Sequence, residues 1–223
     1  MRKGNEGLFD GHPYLNKLYV WDKKRKYKSL LEIVREANNV KYDLLINLQR
    51  FFTTGLFSLL IKADKKVGFD KNPLSFVYDH RIKHKIGDST HEIERNLKLL
   101  SFLNAPIEEY KVRLYPNKKF VLKGIVEQEG AFITISPSSV WFTKQFPVDK
   151  WLEFINQLPE DYNILLLGGP GDKEYCQKIA SNSRHKKIIN LCGETSLLET
   201  ASIMGRSLLN FVNDSAPMHI SSS

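Results

Sequence analysis

Cysteine is scarce in this sequence, with Cys176 and Cys192 alone among 223 residues. Two thiols exclude a disulfide framework and a cysteine-built metal site, and they point to a reducing, cytosolic compartment. Long apolar runs are also missing: none approaches the ~20 residues that span a bilayer. No basic leader followed by an apolar stretch marks a secretion signal. The six histidines are scattered without metal-ligand spacing, so no metal site is expected. There are no internal repeats and no low-complexity segments, which excludes a repeat array.

What is present is ordinary in amount but uneven in placement. Hydrophobic residues make up 42% and charged residues 26%, as in a soluble globular protein. A chain of this length builds one large domain or two small ones. Residues 1–124 hold 25 Lys and Arg against 14 Asp and Glu, whereas residues 125–223 hold 8 against 11. The basic half suits an anionic partner such as a membrane surface, an anionic glycolipid or nucleic acid. A lysine-rich solvated surface accounts for it equally well. Lys23-Lys24-Arg25-Lys26-Tyr27-Lys28 and the cluster His80, Arg81, Lys83, His84, Lys85 carry the same two readings. Their basic residues are not interleaved with aromatics in a recognisable motif, which argues against nucleic acid.

Periodicity in the second half is regular. Residues 131–135, 163–167, 187–191 and 208–212 read as strands, and 148–158, 172–181 and 197–204 as helices. Short apolar strands between helices of roughly ten residues define βαβ units and a parallel sheet. The first half is similar: helices over 28–38, 51–61 and 91–103, strands over 43–48 and 66–69. The lysine-rich stretch 110–124, with Pro116 and Asn117, is the expected domain boundary. The fold class is therefore α/β, with domains 1–124 and 125–223. The opening residues 1–7 contain no core strand, and the chain stops inside the helix begun by Pro217, so both ends are expected to be cut.

Parallel sheets bind ligands at the carboxyl ends of their strands, where three polar turns fall. These are Ser136-Pro137-Ser138-Ser139, Gly168-Gly169-Pro170-Gly171 and Asn213-Asp214-Ser215-Ala216-Pro217. The last places proline near the first helical position, where its missing N–H costs nothing. Free N–H groups and the helix dipole at that turn favour a phosphate, flanked by Asp214 and His219. The turns together suggest a grip on a nucleotide diphosphate. Asp214 also reads as a plain helix cap, and Trp141 and Phe142 read as packing residues.

With these residues in view, the chain resembles the family-9 glycosyltransferases, the ADP-heptose:lipopolysaccharide heptosyltransferases and their relatives. The likeness runs over nearly the whole chain. It is strongest in 136–147 with Thr143-Lys144-Gln145-Phe146-Pro147, in the Gly168-Gly169-Pro170 turn and in Asn213 to His219. In the first half, Tyr42 to Gln49, Val67-Gly68-Phe69 and His91 to Asn96 carry it.

The resemblance implies two Rossmann-like domains in the GT-B arrangement, the first lacking its opening strand and the second its last elements. It implies a nucleotide-sugar donor, ADP-linked, in the second domain and an anionic glycolipid acceptor in the first, with no bound metal or other cofactor. Lys144 would meet the donor phosphates, with Ser138 and Ser139 adding donors. Asp214, Ser215 and Ala216 would hold pyrophosphate and sugar, with His219 one turn on. Lys144 and Asp214 are the implied catalytic groups. Asp172 or Glu174 would contact the ribose beyond Gly168 and Gly169, and the helix over 197–204 would border the adenine. Ser138 and Ala216 stand where the family usually has glycine, each adding a side chain near the ligand. The family's presumed catalytic carboxylate lies in a loop that would precede residue 1.

The expected activity is inverting transfer of a heptose or related sugar to a lipopolysaccharide core or similar surface glycan. The expected setting is the cytoplasm, with peripheral contact at the inner membrane face. Rival readings are a catalytically incompetent nucleotide-binding fragment, a sugar-nucleotide epimerase of the same architecture and a nucleic-acid-binding protein.

Overall fold

The computed structural model describes residue 1 and residues 3–103, 111–116 and 131–223. Its contacts divide the chain into two units, one of Met1–Lys3 with Tyr19–Tyr110 and one of Gly4–Leu18 with Lys111–Ser223. The expected division at residue 124 therefore moves to 110, and most of the stretch that suggested it lies outside the described residues. Gly4–Leu18, expected in the first domain, joins the second unit because its short helical turn Glu6–Phe9 packs against the helix Leu197–Met204.

In the first unit, helix α1 (Lys26–Ala37) buries Leu30 and Ala37, and strand β1 (Tyr42–Asn47) follows. Helix α2 (Phe52–Leu60) leads to β2 (Ala63–Phe69), then to β3 (His80–Ile82). These strands form a parallel sheet in the order β1-β2-β3. Val67, Phe69 and Leu99 form its core, with Leu44, Ile46, Ile82 and Phe102 packed around them. Asn47 ties the layers together by donating to Tyr78 Oη at 2.7 Å and to Ser58 Oγ at 3.2 Å. Gly68 makes room for that tyrosine, because a Cβ there would fall 2.4 Å from its ring.

Two expectations change here. β3 was not anticipated, since three residues containing His80 and Arg81 show no apolar alternation; a charged sheet edge is nonetheless a normal place for such residues. The helix expected over 91–103 is α3 (Glu92–Leu97) continuing as a tighter 3-10 stretch, Lys98–Leu103. Asn104, placed on its face, lies outside the described residues.

The second unit follows the predicted alternation closely. It runs β4 (Phe132–Ser136), α4 (Val148–Ile155), β5 (Asn163–Leu166), α5 (Lys173–Asn182), β6 (Ile188–Asn190), α6 (Leu197–Met204), β7 (Asn210–Val212) and α7 (Ala216–Ser221). The strands are parallel in the order β6-β5-β4-β7. Successive side chains of a strand point to opposite faces, so β4 and β5 feed two cores. Ile133, Ile135, Ile164 and Leu166 pack with Trp151, Ile155 and Ile179 on one side. Phe132, Leu165 and Leu167 pack with Ile203, Met204 and Ile220 on the other. A sheet covered on both faces explains why these strands read as continuous apolar runs rather than alternating ones.

Cys176 and Cys192 are both fully buried in the first of these cores. The hydrogen bond between them, with burial, pushes the Cys176 thiol far above its ordinary range. Both sulfurs are also shut away from solvent, so neither cysteine is expected to react with iodoacetamide in the native protein. Mass spectrometry should show two labels after unfolding in denaturant and none before it. Rapid labelling of the folded chain would contradict this packing. Among the described residues no helix is long and apolar enough to cross a membrane.

Candidate functional site

Adjacent parallel strands bring their carboxyl ends to one edge, and the order β5-β4-β7 sets three turns side by side there. Beyond β4 comes Pro137-Ser138-Ser139, beyond β5 Leu167-Gly168-Gly169, and beyond β7 Asn213-Asp214-Ser215. Between them lies a cavity of about 510 Å³. Ser138, Ser139, Gly168, Gly169, Asp172, Ser215 and Ala216 all line it. Lys144, Glu174, Asp214 and His219 are exposed and are not among its lining residues.

The turns are held by specific bonds rather than by packing alone. Asn213 is buried, donates to the Pro137 carbonyl at 2.7 Å and accepts from the Phe146 N–H at 3.4 Å. It thus fastens the end of β7 to both ends of the loop that carries Ser138, Ser139 and Lys144. Asp172 turns its carboxylate back onto the Gly169 N–H at 2.7 Å. Gly168 leaves space for it, since a Cβ there would lie 2.9 Å from the Asp172 carboxylate and 3.1 Å from Cys192 Sγ. Gly193, at φ +77°, sits against Pro170 with only 2.8 Å between that Cα and an added Cβ. Glycine is needed there for both the left-handed backbone and the close approach.

Helix α7 starts with Ser215 in the cap position, and the Ser215 side chain makes no capping hydrogen bond. Asp214 is therefore not the cap. It instead forms an ion pair with Lys144, seventy residues away in sequence. The hydrogen bond from Lys144, then its charge, hold the Asp214 carboxyl below its ordinary range, with a further contribution from His219. The pair is complete at neutral pH and dissolves only as pH falls through that lowered value.

Several lining residues were not foreseen. Thr195, Ser196, Leu197 and Thr200 come from the start of α6, and Gly4, Asn5, Gly7 and Leu8 from the arm that joins this unit. The α6 residues could have been found from their capping pattern, because Ser196 and Glu199 form a reciprocal capping box. Nothing in the local sequence marks the arm. Trp141 and Phe142, expected to pack, are 67% and 87% exposed beside the cavity residue Val140.

An α/β chain with parallel sheets and a cavity at the strand carboxyl ends is of the Rossmann-like class. The family model for glycosyltransferase family 9 (heptosyltransferase) matches residues 30–223, and the chain belongs to that family. The lipopolysaccharide core heptosyltransferase OpsX of Haemophilus influenzae is 25% identical over 226 residues, covering 98% of this chain and 64% of that protein. Lipopolysaccharide heptosyltransferase 3 of Escherichia coli is 27% identical over 240 residues, covering 96% of this chain and 66% of the relative. The chain thus spans about two-thirds of the length of these curated relatives. Among solved structures, a glycosyl transferase family 9 protein from Veillonella parvula superposes with a TM-score of 0.83 at 22% identity, over 97% of this chain and 65% of that one. Escherichia coli heptosyltransferase WaaC with ADP gives 0.72 at 17% identity, over 99% and 71%. The expected α/β class with parallel sheets is the fold these proteins share.

Proposed function

We propose that the chain acts in sugar transfer, moving a heptose or related sugar from an ADP-linked donor to a lipopolysaccharide core or similar surface glycan. The observation that carries this reading is the cavity at the ends of β4, β5 and β7, lined by hydroxyls, glycine backbone and the uncapped start of α7. Such a lining offers hydrogen-bond donors to phosphate oxygens without a bulky obstacle. The related WaaC structure contains ADP, which supports the choice of base.

In this reading Lys144 is the electrostatic group. Before donor binds, Asp214 holds the Lys144 ammonium next to the turn that leads into Ser215 and Ala216. A diphosphate entering the cavity competes for that ammonium, and charge growing on the leaving diphosphate strengthens the attraction. Interactions that strengthen toward the transition state raise the rate rather than only the affinity. Asp214 then faces the sugar, with His219 beside it, and Ser138 and Ser139 supply hydroxyl donors. Asp172, committed to Gly169, shapes the turn under the ribose, while Glu174 on the exposed side of α5 stays available to it. The alignment of the donor in line with an acceptor hydroxyl yields inversion at the anomeric carbon.

Calorimetric titration with ADP and UDP tests the donor site. ADP is expected to bind saturably and more tightly than UDP, and Lys144→Ala to weaken it at least tenfold, about 1.4 kcal/mol. Both residues of the ion pair are exposed, so a change at Lys144 leaves the fold intact. Equal affinity in the variant would remove Lys144 from the donor site. ADP binding without transfer of heptose to a core acceptor would identify the chain as a nucleotide-binding fragment.

A further inference from the structure

The cavity at the ends of β4, β5 and β7 has one wall that the sheet and its helices do not supply. Gly4, Asn5, Gly7 and Leu8 line it from the segment Gly4–Leu18, which belongs to the same unit. The helical turn Glu6–Phe9 of that segment packs against α6. The turn thereby contributes Leu8 to the lining, and α6 contributes Leu197, its first residue. With the segment seated the cavity still measures about 510 Å³, inside the roughly 300–1,000 Å³ of small-ligand pockets. The segment is therefore a wall and not a plug.

The way this wall is joined to the rest of the unit equips it to move. Gly4 and Gly11 bracket the turn at φ +108° and +70°. A Cβ added at either would meet nothing within 4 Å, so glycine serves the left-handed backbone there and not packing. Between them the chain is braced from within. The Leu8 N–H donates to the Asn5 carbonyl at 3.2 Å, and the Asp10 N–H to the Gly7 carbonyl at 3.3 Å. No residue of Glu6–Phe9 is buried, so burial does little to hold the turn down. Segments of that kind open at low cost. Past Gly11 the chain is anchored by rings: His12 meets Tyr115 edge-on with centroids 4.7 Å apart, and Tyr14 lies 6.3 Å from Tyr115. A self-braced turn with a glycine at each end and an aromatic anchor behind the second has the parts of a hinged strap.

We propose that residues 5–10 form a strap that swings on Gly4 and Gly11, opens to admit the nucleotide and closes over its base, with Leu8 and Leu197 on the two faces of the ring. A base is flat and its faces are apolar, so two leucine side chains remove both faces from water at once. The polar turns at the strand ends are left to the phosphates. Closure after entry slows escape more than it slows entry, which makes the strap a control on nucleotide release. The inference rests on the donor reading of this cavity and adds a gate to it.

The test is hydrogen–deuterium exchange of the 223-residue chain with saturating ADP, with inorganic pyrophosphate and with neither. ADP should slow exchange at least tenfold across residues 4–12, including the amides of Gly11 and His12, which do not line the cavity. Pyrophosphate, which has no base to cover, should leave the strap exchanging as in the free chain. Leu8→Ala should weaken ADP at least tenfold in calorimetry and remove the slowing, and the fold should survive because the turn is not part of a core. Gly4→Val with Gly11→Val resists the left-handed backbone, so it should speed exchange in the free strap and weaken ADP as well. Slowing confined to Asn5, Gly7 and Leu8 would mean that the ligand merely shields a fixed wall. Faster exchange with ADP would mean that the segment is displaced, and equal slowing by pyrophosphate would remove the base from its grip. ADP bound to a chain whose strap does not respond would sink this inference alone. A folded chain that takes up no ADP would overturn the donor reading and the strap together.

Discussion

Asn213→Ala is expected to cost about 1–3 kcal/mol of stability and to weaken ADP binding in the same variant. The side chain is buried and makes two bonds, to the Pro137 carbonyl and from the Phe146 N–H. Alanine leaves both backbone groups without that partner, and unmade bonds at buried groups cost more than formed ones return. The effect on binding follows because the same two bonds fix the loop bearing Ser138, Ser139 and Lys144 to the end of β7. Asn213→Asp discriminates between mechanisms. It keeps an acceptor for Phe146 but sets a carboxylate against the Pro137 carbonyl, so it should do no better than alanine. Urea denaturation followed by circular dichroism gives the stability change, and calorimetry gives the affinity. A loss under about 0.5 kcal/mol, the range of ordinary surface substitutions, would mean that the fastening is dispensable.

The larger loss belongs to Ile135→Ala, at about 2–5 kcal/mol. Ile135 is fully buried at the centre of the four-stranded sheet, paired with Leu166 on one side and Phe211 on the other. It belongs to the same core as Trp151, Ile155 and Ile179. Truncation removes buried methyl groups and leaves a void that neighbours on two strands and two helices cannot fill without moving. Domains are stable by only about 5–15 kcal/mol, so a shift of this size changes the folded population measurably. Ile135→Val should cost about 0.5–1.5 kcal/mol, and a similar loss for valine and alanine would show that the site relaxes freely. The strand also ends one residue later at Ser136, so the alanine variant should loosen the turns around the cavity and weaken ADP more than the valine variant.

The second unit was the more legible in sequence because its strands are covered on both faces and its helices on one. Those two conditions write continuous apolar runs and helical spacing into the chain. β3 lacked any such mark: His80 and Arg81 sit on a short sheet edge, where packing imposes little pattern. The site divides in the same way. Ser138, Ser139, Gly168, Gly169, Asp172, Ser215 and Ala216 could be read because each follows a legible strand, and topology brings strand ends together. The Lys144–Asp214 ion pair was not legible as a pair, since its partners stand in different turns and meet only when β4 and β7 lie side by side. Trp141 and Phe142 misled for a related reason: aromatic type predicts burial on average, but a loop beyond a strand end has no layer to sink into.

Glu6–Phe9 illustrates a different kind of dependence. Residues 111–223 alone keep β4 through β7 and every turn between them, yet they omit Gly4, Asn5, Gly7 and Leu8 from the cavity wall. The unit is thus assembled from two separate stretches of the chain rather than one. A graft that transplanted only the longer stretch into another protein would carry the sheet across and leave part of the cavity wall behind.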